Sequence, residues 1–173
     1  MLAGLPAPTI VPPEHIMNIR NTLALLAAVA FAPSALAATA DATFQVSINI
    51  TSTCSVAAQD LDFGSHPSTA TNVNADGELE ITCTPGTDYT VALDAGANGG
   101  GDVNSRRMTN GTGFVPYQLY SDPGRTTVWG DVSGTVSGTG NGAAQTLPVY
   151  GRVPDANFPA GAYADLVTVT VTY

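Results

Sequence analysis

The sequence predicts an all-β fold, and three observations carry that prediction. Short segments alternate apolar and polar residues, and turns containing Gly or Pro separate them. Beyond Thr22–Phe31 no stretch has a helical period. Only 11% of residues are charged, yet β-branched residues are plentiful, which is unlike the composition of a disordered chain. Strands at this spacing belong to a β-sandwich or a barrel.

The chain begins with segments that read as processing signals. Residues 1–16 carry no targeting pattern and read as an upstream start, with Met17 the true initiator. Met17-Asn18-Ile19-Arg20-Asn21 is a short basic start, and Thr22–Phe31 is an apolar run. Ala35-Leu36-Ala37 supplies the small-x-small pattern of a signal-peptidase site. That order makes 17–37 a secretory signal, because an apolar run of about ten residues is half of what a bilayer span needs. No other long apolar run follows, so no membrane span is expected. Cleavage after Ala37 leaves about 136 residues, enough for one domain.

The first strand pattern is Ala42-Thr43-Phe44-Gln45-Val46-Ser47-Ile48-Asn49-Ile50-Thr51. Phe44, Val46, Ile48 and Ile50 fall on one face of an extended strand. Residues 38–52 read in two ways: as a spare strand that fills the groove of another copy, or as an ordinary strand of a closed sandwich. At the other end, Leu166–Tyr173 reads either as a strand whose own edge is left unclosed or as an ordinary strand of the same closed sandwich.

Cys54 and Cys83 are the two cysteines. An oxidising compartment makes a disulfide their default state. A loop of about thirty residues would then be closed, worth roughly 3–4 kcal/mol in the chain-entropy model. After residue 37 the one histidine is His66, and no second thiol pair offers metal-ligand spacing, so metal binding is a poor alternative.

Downstream, Cys54–Ala57 and Leu61–Gly64 read as strand pieces. Glu78–Cys83 alternates with Leu79, Ile81 and Cys83 inward, and Tyr89–Leu93 alternates again. Ala95–Asn104 reads as an exposed loop. Phe114–Tyr120 is a strand that Pro116 places at a sheet edge or strand start. Thr126–Trp129 is a further strand piece, and Ser133–Gly142 a Ser/Gly/Thr loop. Thr146–Val153 is a strand interrupted by Pro148, and Asn157–Gly161 a turn. Tyr163–Tyr173 is the strongest pattern, with Val167, Val169, Val171 and Tyr173 on one face.

Charge excludes one function class. The chain has no lysine and a formal net charge of -9, so it does not bind nucleic acid by neutralising phosphates. No catalytic set stands out. His66 sits in a turn-like Ser65-His66-Pro67 with neither the spacing nor the nucleophile elbow of a Ser-His-Asp site near Asp60 or Asp62. Asp60 with Asp62, and Glu78 with Glu80, alternate on strands as a solvated face rather than flanking a glycosidase cleft. Asp102-Val103-Asn104 lacks the remaining ligands of a calcium loop. Arg106-Arg107 is either a contact for an acidic patch on a neighbouring subunit or an isolated pair on a loop. Trp129 and Tyr150 either stack on a sugar or cover the core. The expectation is a protein that is not an enzyme and has no cofactor.

Taken in order, these residues resemble the spore coat protein U domain family, which includes Csu-type pilins of archaic chaperone–usher pili. The resemblance rests on Phe44-x-Val46, Cys54-x-Val56, Leu61-x-Phe63-Gly64, Cys83, Arg107-Met108, Tyr117-x-Leu119-Tyr120 and Trp129-Gly130. It continues through Val149-Tyr150-Gly151-Arg152-Val153 and Gly161-x-Tyr163-x-Asp165 to Val167–Tyr173. It implies an immunoglobulin-like β-sandwich lacking its final strand, over 53–173, completed by a donor strand from a neighbouring subunit. Phe44, Val46, Ile48 and Ile50 would be the donor residues. Val167, Val169, Val171 and Tyr173 would line the acceptor groove and meet the chaperone. The implied partners are other pilin subunits, a periplasmic chaperone and an outer-membrane usher. The implied location is a cell-surface pilus reached through the periplasm, serving adhesion and biofilm formation. A non-polymerising coat protein with a self-complemented sandwich and a carbohydrate-binding tip adhesin are the competing readings.

Overall fold

A computed structural model describes residues 37–173. The start and signal expected over 1–16 and 17–37 lie outside the described residues, apart from Ala37. The chain divides into two units after Val46, and all strands lie in the second.

That unit has nine strands and no helix among the described residues. They are β1 (Cys54–Ala58), β2 (Thr71–Cys83), β3 (Asp88–Leu93), β4 (Arg107–Thr109) and β5 (Phe114–Pro116), followed by β6 (Gln118–Tyr120), β7 (Val136–Thr139), β8 (Gln145–Asp155) and β9 (Val169–Thr172). One sheet has the order β1-β2-β8-β6, a second has β7-β3-β9, and β4 and β5 form a small hairpin. Every pairing is antiparallel. The two larger sheets share one core. Leu79, Ile81 and Cys83 of β2 meet Tyr89, Val91 and Leu93 of β3, the inward set that alternation assigns.

The sandwich is pinned on its closed side by Trp129 and Arg106. Trp129 is fully buried, and its indole N–H donates to the Val91 carbonyl at 3.0 Å. Its place is the core, not a sugar platform. Tyr150 is half-buried, with the Arg125 guanidinium 5.6 Å from its ring centre.

Several elements differ from their sequence patterns. Phe114–Tyr120 is two strands, because the chain changes sheets at Tyr117, just after Pro116. β2 begins at Thr71 although Asn72, Asn74, Asp76 and Gly77 are poor strand formers. Ten register pairs with β8 and the burial of Val73 override local preference. β7 lies inside a segment that composition marks as loop. Gly138 belongs there because a Cβ at that position would come within 2.5 Å of the Tyr89 phenol. Pro148 sits in β8 beyond the reach of β6, which pairs only with Tyr150–Arg152, so its missing N–H faces an open edge. Thr126–Trp129 contributes one bridge, Val128 to Tyr120, and no longer strand.

Candidate functional site, an open groove beside β9

β9 pairs with β3, and among the described residues no strand lies on its other side. The segment before it is also bonded on one side only. Ala97 N–H donates to Leu166 O, Asp94 N–H donates to Thr168 O, and Thr168 N–H donates to the Asp94 carboxylate. Antiparallel bonding uses alternate residues, so the N–H and C=O groups of Val167, Val169 and Val171 point to the open edge. Their side chains are half-buried against the core, whereas Tyr173 is exposed.

The opposite lip is the segment from Gln59 to His66. The pattern Leu61-Asp62-Phe63-Gly64 predicts a strand here, but none forms. One backbone bond, Gln59 N–H to Glu78 O, ties its start to β2. Asp62 then accepts from Gly64 N–H, and Gly64 takes φ +75°, which turns the chain. Leu61 and Phe63 nevertheless point inward. A Cβ on Gly151 would lie 2.9 Å from both side chains, and one on Gly77 would lie 3.2 Å from Leu61. These two glycines give the lip its seat.

Between lip and edge runs a cleft of about 1120 Å³, floored by Leu79, Val149 and Val153 and flanked by Val167 and Val169. It opens directly onto the hydrophobic core. One end is polar. The Phe63 ring meets the Tyr117 ring edge-on at 6.4 Å, and the Tyr117 hydroxyl donates to Asp165 at 2.7 Å. Asn98 donates to the other oxygen of Asp165 at 2.8 Å. Burial pushes the Tyr117 phenol well above its ordinary pKa, and the hydrogen bond to Asp165 adds to the shift. Burial works against the ionised form of Asp94. The N–H groups of Thr168 and Gly96 outweigh it and hold that carboxyl below its ordinary value.

Arg106 is a cation inside the fold. It is 1% exposed, and its guanidinium donates to the carbonyls of Leu93, Asp94 and Trp129 and to the Gln118 side chain. Burial lowers its pKa, and nearby Tyr117, Asp94, Asp131 and Asp165 oppose that shift. Arg106 and Arg107 are therefore not a loop pair. Arg106 cannot reach a neighbour, while Arg107 is exposed, donates to Asn98 O and lies 4.3 Å above the Phe114 ring.

The remaining expected residues fall as follows. Phe44, Val46, Ile48 and Ile50 are 87%, 81%, 85% and 75% exposed, in a segment with no regular secondary structure. Cys54 and Cys83 form a disulfide across the first register pair of β1 and β2, with 4.1 Å between Cα atoms. His66 is exposed, its Nε2 2.7 Å from Phe63 O. Among the described residues, no three His, Cys, Asp or Glu side chains gather as a metal site, and no helix is long and apolar enough to cross a membrane.

The family model for the spore coat protein U domain matches residues 40–170. The chain belongs to that family. It is 34% identical over 163 residues to Protein U of Myxococcus xanthus, covering 84% of this chain and 90% of that protein. In fold it resembles a chain from the crystal structure of the CsuC–CsuE chaperone–tip adhesion subunit pre-assembly complex. That complex comes from the archaic chaperone–usher Csu pili of Acinetobacter baumannii. The TM-score is 0.56 at 22% identity, over 72% of this chain. This chain spans 40% of the length of that one. The sandwich is thus immunoglobulin-like, as the family resemblance implies.

Proposed function

We propose that this spore coat U protein is a structural subunit of an extracellular pilus, polymerised by donor-strand exchange. In this reading the subunit passes through the periplasm on a chaperone that lends a strand to the groove. At the outer-membrane usher, Phe44–Ile50 of the next subunit replaces that strand, and the finished pilus serves adhesion and biofilm formation. The observation that supports it best is the unpaired β9 edge beside an apolar groove, in a chain that also carries an exposed alternating segment. Strand addition to such an edge uses backbone bonds for affinity and alternate side chains for fit. The contact is head-to-tail, so it propagates as a filament rather than closing. Four large apolar side chains contribute roughly 6–12 kcal/mol gross on burial, before ordering costs.

A second reading is a coat or surface protein that fills its own groove. The spore coat protein after which the matched family is described favours the coat part of that reading. A synthetic peptide of residues 42–52 and a concentration series separate the two. A pilin should form oligomers as concentration rises and bind the peptide. Binding should stabilise the fold by about 2.7 kcal/mol at a hundredfold excess over Kd. A monomer at every concentration, unaffected by the peptide, would overturn the pilin reading.

A further inference from the structure

The disulfide stands where a load would enter the fold. Ile50, the last donor residue, is separated from Cys54 only by Thr51, Ser52 and Thr53. Tension carried by the donor segment therefore arrives at the first residue of β1. That strand is five residues long, lies at the sheet edge and pairs only with β2. Beyond it comes the Gln59–His66 lip, with its single backbone tie. Pulling on an uncrosslinked Cys54 would peel β1 and then lift Leu61 and Phe63 off Gly77 and Gly151. Those two side chains wall the subunit's own groove. Load on the donor end would thus open the acceptor end.

The cross-link removes that route. It joins Cys54 to Cys83, the last residue of β2. β2 is thirteen residues long and shares ten register pairs with β8. Force passes from the donor segment straight into the best-anchored strand, and β1 and the lip lie outside the path.

We infer that Cys54–Cys83 shields the acceptor groove from the tension carried by the same subunit's donor segment. The inference rests on the pilin reading above. It makes the bond a load-path element, in addition to any contribution to folding.

The test is single-molecule pulling on one subunit whose groove holds the peptide of residues 42–52. One handle is on that peptide and the other at Ala42 of the subunit. The oxidised protein should release the peptide with no earlier extension. The Cys54→Ser/Cys83→Ser variant should first lengthen by at most about 60 Å, the reach of the extended chain from Cys54 to the start of β2 at Thr71. It should then lose the peptide at a force lower by a third or more. At zero load the peptide should leave both proteins at rates within about threefold. Equal release forces, or a zero-load rate raised as much as the loaded one, would overturn the inference. In those outcomes the bond only stabilises the fold. Failure of the peptide to enter the oxidised groove at all would instead overturn the pilin reading beneath it.

Discussion

Replacing Ile48 by Asp, beside replacing Asn49 by Asp, tests whether the exposed segment is a donor strand. Ile48 is 85% exposed, so a carboxylate there costs the isolated subunit almost nothing. In the neighbour's groove the same side chain would face an apolar floor of Leu79, Val149 and Val153. The change removes roughly 1.5–3 kcal/mol of burial. It also strands a charge without a partner, at a further cost of several kcal/mol. Against a gross gain of about 6–12 kcal/mol for four side chains, that abolishes a stable joint. Asn49→Asp adds equal charge one residue on, facing the other way. Sedimentable fibre, measured with circular dichroism of the subunit, is the assay. Ile48→Asp should give folded subunits and no fibre, and Asn49→Asp should give near-normal fibre. Equal losses in both would refute the facing argument. An unfolded Ile48→Asp subunit would favour the self-complemented coat protein.

Three further outcomes follow from the geometry. Gly151→Ala should destabilise the subunit by about 1–3 kcal/mol by overpacking against Leu61 and Phe63, and unchanged thermal unfolding would mean the lip does not rest there. Arg106→Lys should cost about 2–5 kcal/mol in denaturant unfolding. Three lysine donors cannot serve the carbonyls of Leu93, Asp94 and Trp129 together with Gln118; a loss below 1 kcal/mol would contradict the bonding pattern. The folded pKa of Asp94 is depressed, so its stabilising share is full above the ordinary value of 3.8 and drains as pH falls below it toward the folded value. Asp94→Asn should flatten that part of the acid-unfolding profile, and an identical profile would remove the assignment.

The strands with strict alternation were legible because burial on one face demands it. Leu79-x-Ile81-x-Cys83 and Tyr89-x-Val91-x-Leu93 fall inward as the pattern requires. β7 was hidden because Val136-Ser137-Gly138-Thr139 has loop composition, and its place depends on the Tyr89 ring that Gly138 accommodates. Val167 and Val169, which flank the cleft, follow period two in the sequence. The Leu61–Phe63 lip was half readable: its apolar alternation is in the sequence, but the bend at Gly64 and the seat on Gly77 and Gly151 are tertiary. Arg106 gave no local signal at all. A charged residue beside another arginine reads as surface, and only the convergence of carbonyls from β3 and Trp129 makes it interior. Gly77 and Gly151, spaced far apart in sequence but on the paired strands β2 and β8, could have flagged a close approach over that part of the sheet.

The position of the chain's one tryptophan divides what light can report. Trp129 lies in the closed side of the core, away from the cleft, with its indole N–H bound to Val91 O. Tyr117 lines the cleft, with its hydroxyl held by Asp165. Indole emission should therefore register unfolding of the body and stay silent when the groove fills. The near-ultraviolet dichroism of the Tyr117 phenol should change when the groove fills, while the indole emission stays constant, and should be lost only later with the fold. One molecule, without added dye, would then supply separate optical channels for occupancy and for collapse of the sandwich.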